Sequence, residues 1–124
     1  MKRVLIDPGS SSEIMYNSLF RQLKLSPSQI RPAKSPVFSF SGEAVWPIAI
    51  AEVPVRLGPK QRTMEFIVMD MDSPYNAILG RGWLTQMKAV ASPMHQKLKF
   101  PSKEGVVVVR GKQEDARHCF RLAV

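Results

Sequence analysis

Apolar residues in this chain occur mostly in short runs that are bounded by proline, glycine or serine. Runs of this length and composition predict β-strands. We expect strands over residues 2–6, 37–41, 45–51, 53–57, 63–71, 89–92, 96–100 and 106–109. In residues 96–100, Leu98 and Phe100 alternate with Lys97 and Lys99, so this strand is predicted to bury one side and expose the other.

Helical spacing is seen in fewer places. In residues 13–25, the apolar positions fall on one face of a helix: Ile14, Met15, Leu19, Phe20 and Leu23. Ser10 with Glu13 fits a capping box at the start of that helix, and Ser26-Pro27 is expected to end it. Residues 83–88 predict a short second helix, and residues 113–122 a polar helix or tail. Many short strands with one or two short helices indicate a mostly-β, barrel-like domain.

Length and composition narrow the class of protein. The 124 residues suffice for one domain, with an ordinary 44% hydrophobic and 23% charged residues. The single cysteine, Cys119, excludes an intrachain disulfide and favours a reducing compartment, so we predict a cytoplasmic location. No apolar run reaches the length of a membrane span or of a signal-peptide core, so no membrane association is predicted.

The net charge of +8 raises the question of nucleic-acid binding. The 18 lysines and arginines are spread along the chain, with mild enrichment after His95. That segment lacks the interleaved aromatic residues that stack on bases. We therefore predict a solvated basic surface, with weak and salt-sensitive RNA association as an incidental property.

Three segments carry the candidate chemistry. In the first, Val4-Leu5-Ile6 runs directly into Asp7-Pro8-Gly9-Ser10-Ser11, which places a carboxylate on a tight turn at a strand end. Turns of this composition are common, so the motif alone is not diagnostic. The second segment, residues 38–43, is hairpin-like with glycine near its tip. In the third, residues 75–84, two aliphatic residues precede glycine and a short helical run.

In this order, the three segments resemble a retroviral-type aspartic protease (retropepsin), and more closely the protease of plant gypsy-type retrotransposon polyproteins. Four strings carry the resemblance: Arg-Val-Leu-Ile-Asp-x-Gly-Ser-Ser at residues 3–11, Phe-Ser-Gly-Glu at 40–43, Tyr-Asn-Ala-Ile-Leu-Gly-Arg at 75–81 and Lys-Phe-Pro at 99–101. The resemblance implies a mostly-β, retropepsin-like domain, closed and barrel-like, over residues 1–101. Residues 102–124 would then form a C-terminal strand and a basic tail or linker towards a following polyprotein domain.

The resemblance also implies roles for individual residues. Asp7 would be the catalytic residue, in a loop with Gly9, Ser10 and Ser11, where the Gly9 N–H and the Ser10 hydroxyl would hydrogen-bond its oxygens. The flap over the substrate would include Phe40, Ser41 and Gly42. Loop support and part of the cleft wall would come from Ile78, Leu79 and Gly80, although plain core packing is an equal alternative for Ile78 and Leu79.

Hydrolysis of an amide by carboxylates requires two of them around one water, sharing one proton. The chain has a single Asp-x-Gly motif, so the second Asp7 must come from another copy across a two-fold axis. This predicts an aspartic endopeptidase that acts as a homodimer on extended peptide or polyprotein substrates, in the cytoplasm or within retroelement particles. No cofactor or metal enters this chemistry, and His95 and His118-Cys119 lack the spacing of a zinc site.

Three departures from the resembled family keep a second interpretation open. Pro8 stands where retroviral enzymes carry threonine or serine, whose hydroxyl reaches across the dimer. Arg81 matches an arginine that pairs with an acid, but the acid's place falls at Ser11, with Glu13 the nearest substitute. In the resembled family another strand normally precedes the strand that carries the acid, and here it is missing, which is expected to expose residues 2–6 at a sheet edge. The alternative is a catalytically silent retropepsin-like domain that serves as a dimerisation or peptide-binding module.

Overall fold

The computed structural model describes residues 3–38, 41–92 and 97–110, together with the backbone of residues 112–114 and 117–120. Its strands are β1 (Val4–Ile6), β2 (Glu13–Tyr16), β3 (Ile30–Arg31), β4 (Val37–Phe38), β5 (Ala44–Val45), β6 (Ala49–Leu57), β7 (Lys60–Met69), β8 (Ala77–Leu79), β9 (Val90–Ser92), β10 (Lys97–Ser102), β11 (Gly105–Arg110), β12 (Lys112–Glu114) and β13 (Arg117–Phe120). The α-helices are α1 (Asn17–Leu23) and α2 (Arg81–Met87). Neither helix is long and apolar enough to cross a membrane, within the residues described.

The strands form three sheets. The largest has the order β12-β13-β1-β8-β2-β7-β6-β3, β9 to β11 form a second sheet with β10 in the middle, and β4 and β5 form a separate hairpin. The long β6–β7 hairpin turns at Gly58, which has a positive φ of 57°. Within β6, Pro54 is tolerated because β3 pairs only with Ile50 and Ala51, so no neighbour requires the missing N–H.

One apolar cluster joins the large sheet, the three-stranded sheet and both helices. Its fully buried members with large side chains are Val4, Met15, Val53, Val55, Phe66, Val68, Leu79, Trp83, Met87, Leu98 and Phe100. Burying side chains of this size stabilises the fold by about 1.5–3 kcal/mol each relative to leaving them exposed. The predicted alternation in β10 is confirmed, since Leu98 and Phe100 are buried while Lys99 is exposed.

The predicted closed barrel is wrong. The large sheet has two separate edges, at β12 and β3, and the three-stranded sheet has its own edges at β9 and β11. A barrel requires the first and last strands of one sheet to pair with each other. The strands of the described residues instead form three open sheets.

The helix predicted over residues 13–25 is shorter than expected. Residues 13–16 are strand β2, which runs parallel to β7 and antiparallel to β8, and the helix begins only at Asn17. Pairing with strands on both sides overrides the helical pattern. In the resulting strand, Glu13 and Met15 are buried, while Ile14 and Tyr16 are half-buried. The capping box from Ser10 to Glu13 is therefore not formed. Helix α1 ends at Leu23, and the next residue, Lys24, has a positive φ of 48°.

Two predictions for the ends of the chain are also corrected. The segment expected to be a polar helix or tail contains β12 and β13, which pair antiparallel with each other. Strand β13 pairs in turn with β1, with Val4 opposite Phe120 and Leu5 opposite Cys119. Strand β1 is therefore covered on both sides and fully buried rather than exposed at an edge. The domain boundary predicted after residue 101 falls inside β10 and stays a prediction.

Candidate active site

Asp7 lies on the turn that directly follows β1. Its backbone N–H donates to the Leu79 carbonyl (2.9 Å), which extends the parallel β1–β8 pairing by one residue. The Ser10 N–H donates to the Asp7 carbonyl (3.0 Å) and closes the turn. Asp7 is half-buried, whereas Pro8 and Gly9 at the tip are exposed. The carboxylate is therefore fixed to a buried strand and still reachable from solvent.

The hydrogen bonds around the Asp7 carboxylate differ in one respect from those that the family resemblance implies. The Gly9 N–H donates to Asp7 Oδ1 (2.9 Å). The Ser10 hydroxyl does not bind the carboxylate but donates to the Ser12 carbonyl (2.7 Å), so it folds the loop onto itself. A side chain at Gly9 would bring Cβ to 3.2 Å from Asp7 Oδ1, closer than ordinary contact. Glycine at this position thus keeps one carboxylate oxygen within reach of the backbone N–H.

Gly80 anchors this turn to the rest of the domain. It lies between β8 and α2, and a Cβ there would be 2.4 Å from the Ser10 carbonyl oxygen and 2.9 Å from that of Ser12. The next residue, Arg81, donates its backbone N–H to the Ser10 carbonyl (2.9 Å). Only glycine permits this approach of two backbones. The role that the sequence predicted for Gly80, support of the loop, thus has a direct steric basis.

Glu13 is a charged side chain buried inside this anchor, with only 7% of its surface exposed. Its Oε2 accepts hydrogen bonds from the backbone N–H groups of Gly80 (3.1 Å) and Trp83 (3.4 Å). Glu13 was the nearest substitute for the acid that pairs with Arg81 in the resembled enzymes. Here Arg81 contributes its backbone N–H to the loop, and its side chain is exposed. A carboxylate at the start of a helix supplies an acceptor for backbone N–H groups that the helix itself leaves unpaired. Glu13 therefore joins β2 to α2.

Ile78 and Leu79 point to opposite sides of the sheet, as neighbours on a strand must. Leu79 is fully buried in the main core. Ile78 is half-buried against a small second cluster formed by Leu5 and Tyr75. Core packing accounts for Leu79, while Ile78 keeps an accessible side beside β1.

Tyr75 and Asn76, for which no role was predicted, organise the end of β1 opposite to Asp7. Asn76 accepts the Arg3 N–H through its side-chain oxygen (2.9 Å) and donates its own N–H to the Arg3 carbonyl (2.7 Å). The Tyr16 N–H donates to the Asn76 carbonyl (3.0 Å). Tyr75 is buried, and the Arg3 guanidinium lies 5.6 Å from its ring centroid. The signal was available, because both residues belong to the string that precedes β8.

The predicted flap is a hairpin, made by the antiparallel pairing of β4 and β5. Ser41 and Gly42 are exposed near its turn, and Gly42 has a φ of 81°; Phe40 lies outside the described residues. Phe38 and Trp46 are 68% and 61% exposed, unusually high for aromatic side chains. The hairpin thus presents apolar surface without a covering partner in the described part of the chain.

Two further observations bear on the chemistry available here. A cavity of about 250 Å³ adjoins the turn that carries Asp7, and its lining includes Ser11, Ser12 and the ion-paired Arg31 and Glu65. Among the described residues, no group of three or more His, Cys, Asp or Glu side chains is placed to hold a metal ion.

No family model and no curated protein matches the chain. Among solved structures, it is similar to the retroviral protease-like domain of Ddi1 from Leishmania major, at 18% sequence identity and a TM-score of 0.52. The similarity covers 86% of this chain and 81% of that one. The chain therefore has a retropepsin-like fold, mostly β with two helices and with its sheets open. The similarity extends to the fold alone.

The close packing at Gly80 can be tested by substitution. Gly80→Ala must push the Ser10 backbone away, and overpacking of this kind costs about 1–3 kcal/mol of unfolding free energy. The matched control is Gln86→Ala, an exposed position on α2, which should stay within about 0.5 kcal/mol of the original chain. Urea unfolding measures both. Equal stability of the two variants would contradict the anchoring role of Gly80.

Proposed function

We propose that this chain is an aspartic-type endopeptidase domain that cleaves extended peptides as a homodimer, with one Asp7 from each copy. The observation that carries the proposal is the position of Asp7. It lies on a glycine-containing turn at the end of a buried strand, with one oxygen bound by a backbone N–H. The strings at residues 3–11, 40–43, 75–81 and 99–101 favour a polyprotein of a plant gypsy-type retroelement as the substrate, processed in the cytoplasm.

The reaction requires a second carboxylate beside the first. The described acids that follow β7 cannot supply it within one chain. Asp70 accepts a hydrogen bond from Asn17 Nδ2 (2.6 Å) and follows Met69, which is paired with Tyr16. The register of β2 and β8 places Tyr16 at the end of the sheet opposite to Asp7. A second copy of Asp7, related by a two-fold axis, provides the missing group.

The two carboxylates would hold one water and one proton between them. The ionised carboxylate removes a proton from the water, and the protonated one donates its proton to the oxygen of the scissile carbonyl. The resulting tetrahedral intermediate collapses with cleavage of the C–N bond when the amine receives a proton. The exposed tip at Pro8 and Gly9 leaves room for the second copy, and the exposed aromatic residues of the β4–β5 hairpin suit an apolar peptide.

Asp7→Asn tests this assignment. The variant should lose all hydrolysis of a peptide library at mildly acid pH, because an amide cannot exchange the proton, while its far-UV circular dichroism stays unchanged. Asp72→Asn is the control, since Asp72 is exposed beyond the opposite end of the sheet and should retain full activity. An aspartic-protease inhibitor should block the active forms. Undiminished hydrolysis by Asp7→Asn would refute the proposal.

Pro8 is the observation that favours the second candidate, a silent domain that dimerises or binds peptides without cleaving them. It is exposed directly beside Asp7, at the place where the resembled enzymes link their two active-site loops. Proline offers neither the hydroxyl nor the N–H for that link. The two candidates share the fold and differ only in whether the dimer places its carboxylates together.

Pro8→Thr distinguishes them. It restores up to two hydrogen bonds per subunit, each worth about 0.5–1.5 kcal/mol net. Over both subunits this is roughly 2–6 kcal/mol, or about one to four powers of ten in the dimer constant. Sedimentation should therefore show a tighter dimer, and hydrolysis at fixed protein concentration should rise. If the dimer constant and the rate of hydrolysis are both unchanged, Pro8 is a tolerated substitution.

A further inference from the structure

Cations that are scattered in the sequence meet in one cleft of the folded chain. Lys60 and Arg62 come from the start of β7, Lys88 follows α2, and Lys103 lies in the turn between β10 and β11. Together they line a cavity of about 630 Å³, and among the described residues Glu104 is the one carboxylate that lines it. The cluster is not visible in the linear sequence, because its four members come from three separate segments.

Lys60 is held in a fixed position within the cleft. Its Nζ donates to the carbonyl oxygens of Met87 (2.6 Å) and Pro101 (3.3 Å), which belong to different elements. The ammonium also lies 5.9 Å from the ring centroid of Phe100. Two of its three N–H donors are thereby used, and the third has no partner among the described residues. A fixed cation with a remaining donor is suited to an anionic ligand.

The cleft has a positive electrostatic potential. Desolvation, and then the neighbouring Arg62 and Lys88, lower the pKa of Lys60 below its usual value. The last two effects are repulsion between cations brought together by the fold. An anion in the cleft relieves that repulsion.

The positive surface continues beyond the cleft along β10. Lys99 and Lys97 are two and four residues before Pro101, a lining residue, and so lie on the same side of the strand. Arg110 is paired opposite Lys97, and a second cavity of about 350 Å³ is lined by Lys97 and Lys99. The row of charges is longer than one phosphate group. Neither cavity is lined by an aromatic side chain among the described residues, so stacking on bases is not available there.

We propose that this cleft, with the adjoining face of β10, binds the phosphate backbone of nucleic acid without sequence preference. The site is separate from the catalytic turn. Gly80 contacts that turn at the start of α2, whereas Lys88 follows the last residue of the helix, about 10 Å further along its axis. The inference therefore does not rest on peptide hydrolysis and can fail or succeed independently of it.

Salt dependence of binding provides the test. The full chain is titrated with a fluorescent single-stranded oligonucleotide of mixed sequence at several NaCl concentrations. Each neutralised phosphate contributes about −0.7 to the slope of log K against log salt, so the four cations of the cleft predict a contribution of about −3. In Lys88→Asn/Lys103→Gln, the slope should become shallower by about 1.4. Asparagine suits position 88 because its φ is positive, at 53°.

The matched control is Arg21→Gln/Lys34→Gln, which removes the same charge at two exposed positions outside the cleft. Its slope should equal that of the original chain, as should the slope of Asp7→Asn. If the slope of log K against log salt becomes equally shallow in the control and the cleft variant, the proposal is overturned. Absence of oligonucleotide binding at low salt would also overturn it. Inorganic pyrophosphate is titrated in parallel. If it binds as tightly as the oligonucleotide with the same dependence on Lys88 and Lys103, the site takes small phosphates and the nucleic-acid assignment is wrong.

Discussion

The close contact between the backbones of Gly80 and Ser10 is the constraint on which the rest of the site depends. It requires glycine at one position and brings the start of α2 against the turn that carries Asp7. The buried Glu13 carboxylate accepts hydrogen bonds from the Gly80 and Trp83 N–H groups at the same helix start. Through this contact, the turn is held by β1, β8, β2 and α2 together. A turn attached only through β1 would have no such support, and its carboxylate would have no defined position relative to a second copy.

Local features of this site could be predicted from the sequence, because neighbouring residues determine them. The strand that ends at Asp7, the hairpin at Gly42 and the glycine after Leu79 are each signalled within a few residues. Features that depend on residues distant in the sequence could not be predicted in this way. Residues 13–16 have the apolar spacing of a helix and become a strand only because β7 and β8 lie on either side. The Ser10 hydroxyl binds Ser12 instead of Asp7, a choice that only the three-dimensional path of the loop determines.

The domain separates two kinds of chemistry at the two ends of one short helix. At the start of α2, backbone groups and the buried Glu13 position the turn that carries the Asp7 carboxylate, which the proposed mechanism pairs with Asp7 of a second copy. Beyond its end, cations from three segments surround an open cleft. The first arrangement is rigid because it is buried and hydrogen-bonded, whereas the second is accessible and depends on charge. The lysines and arginines are spread along the linear sequence, which argues against nucleic-acid binding. In the folded chain, the β6–β7 hairpin and the β10–β11 turn bring several of them together.

Mixing subunits tests the central claim, that two Asp7 carboxylates from two chains form one active site. An equimolar mixture of the original chain and Asp7→Asn is equilibrated at a fixed total concentration, and peptide hydrolysis is measured. Random pairing leaves only about a quarter of the dimers with two carboxylates, so activity should fall to about a quarter of that of the unmixed chain. A fall to about one half would mean that each chain acts alone, and would contradict the account.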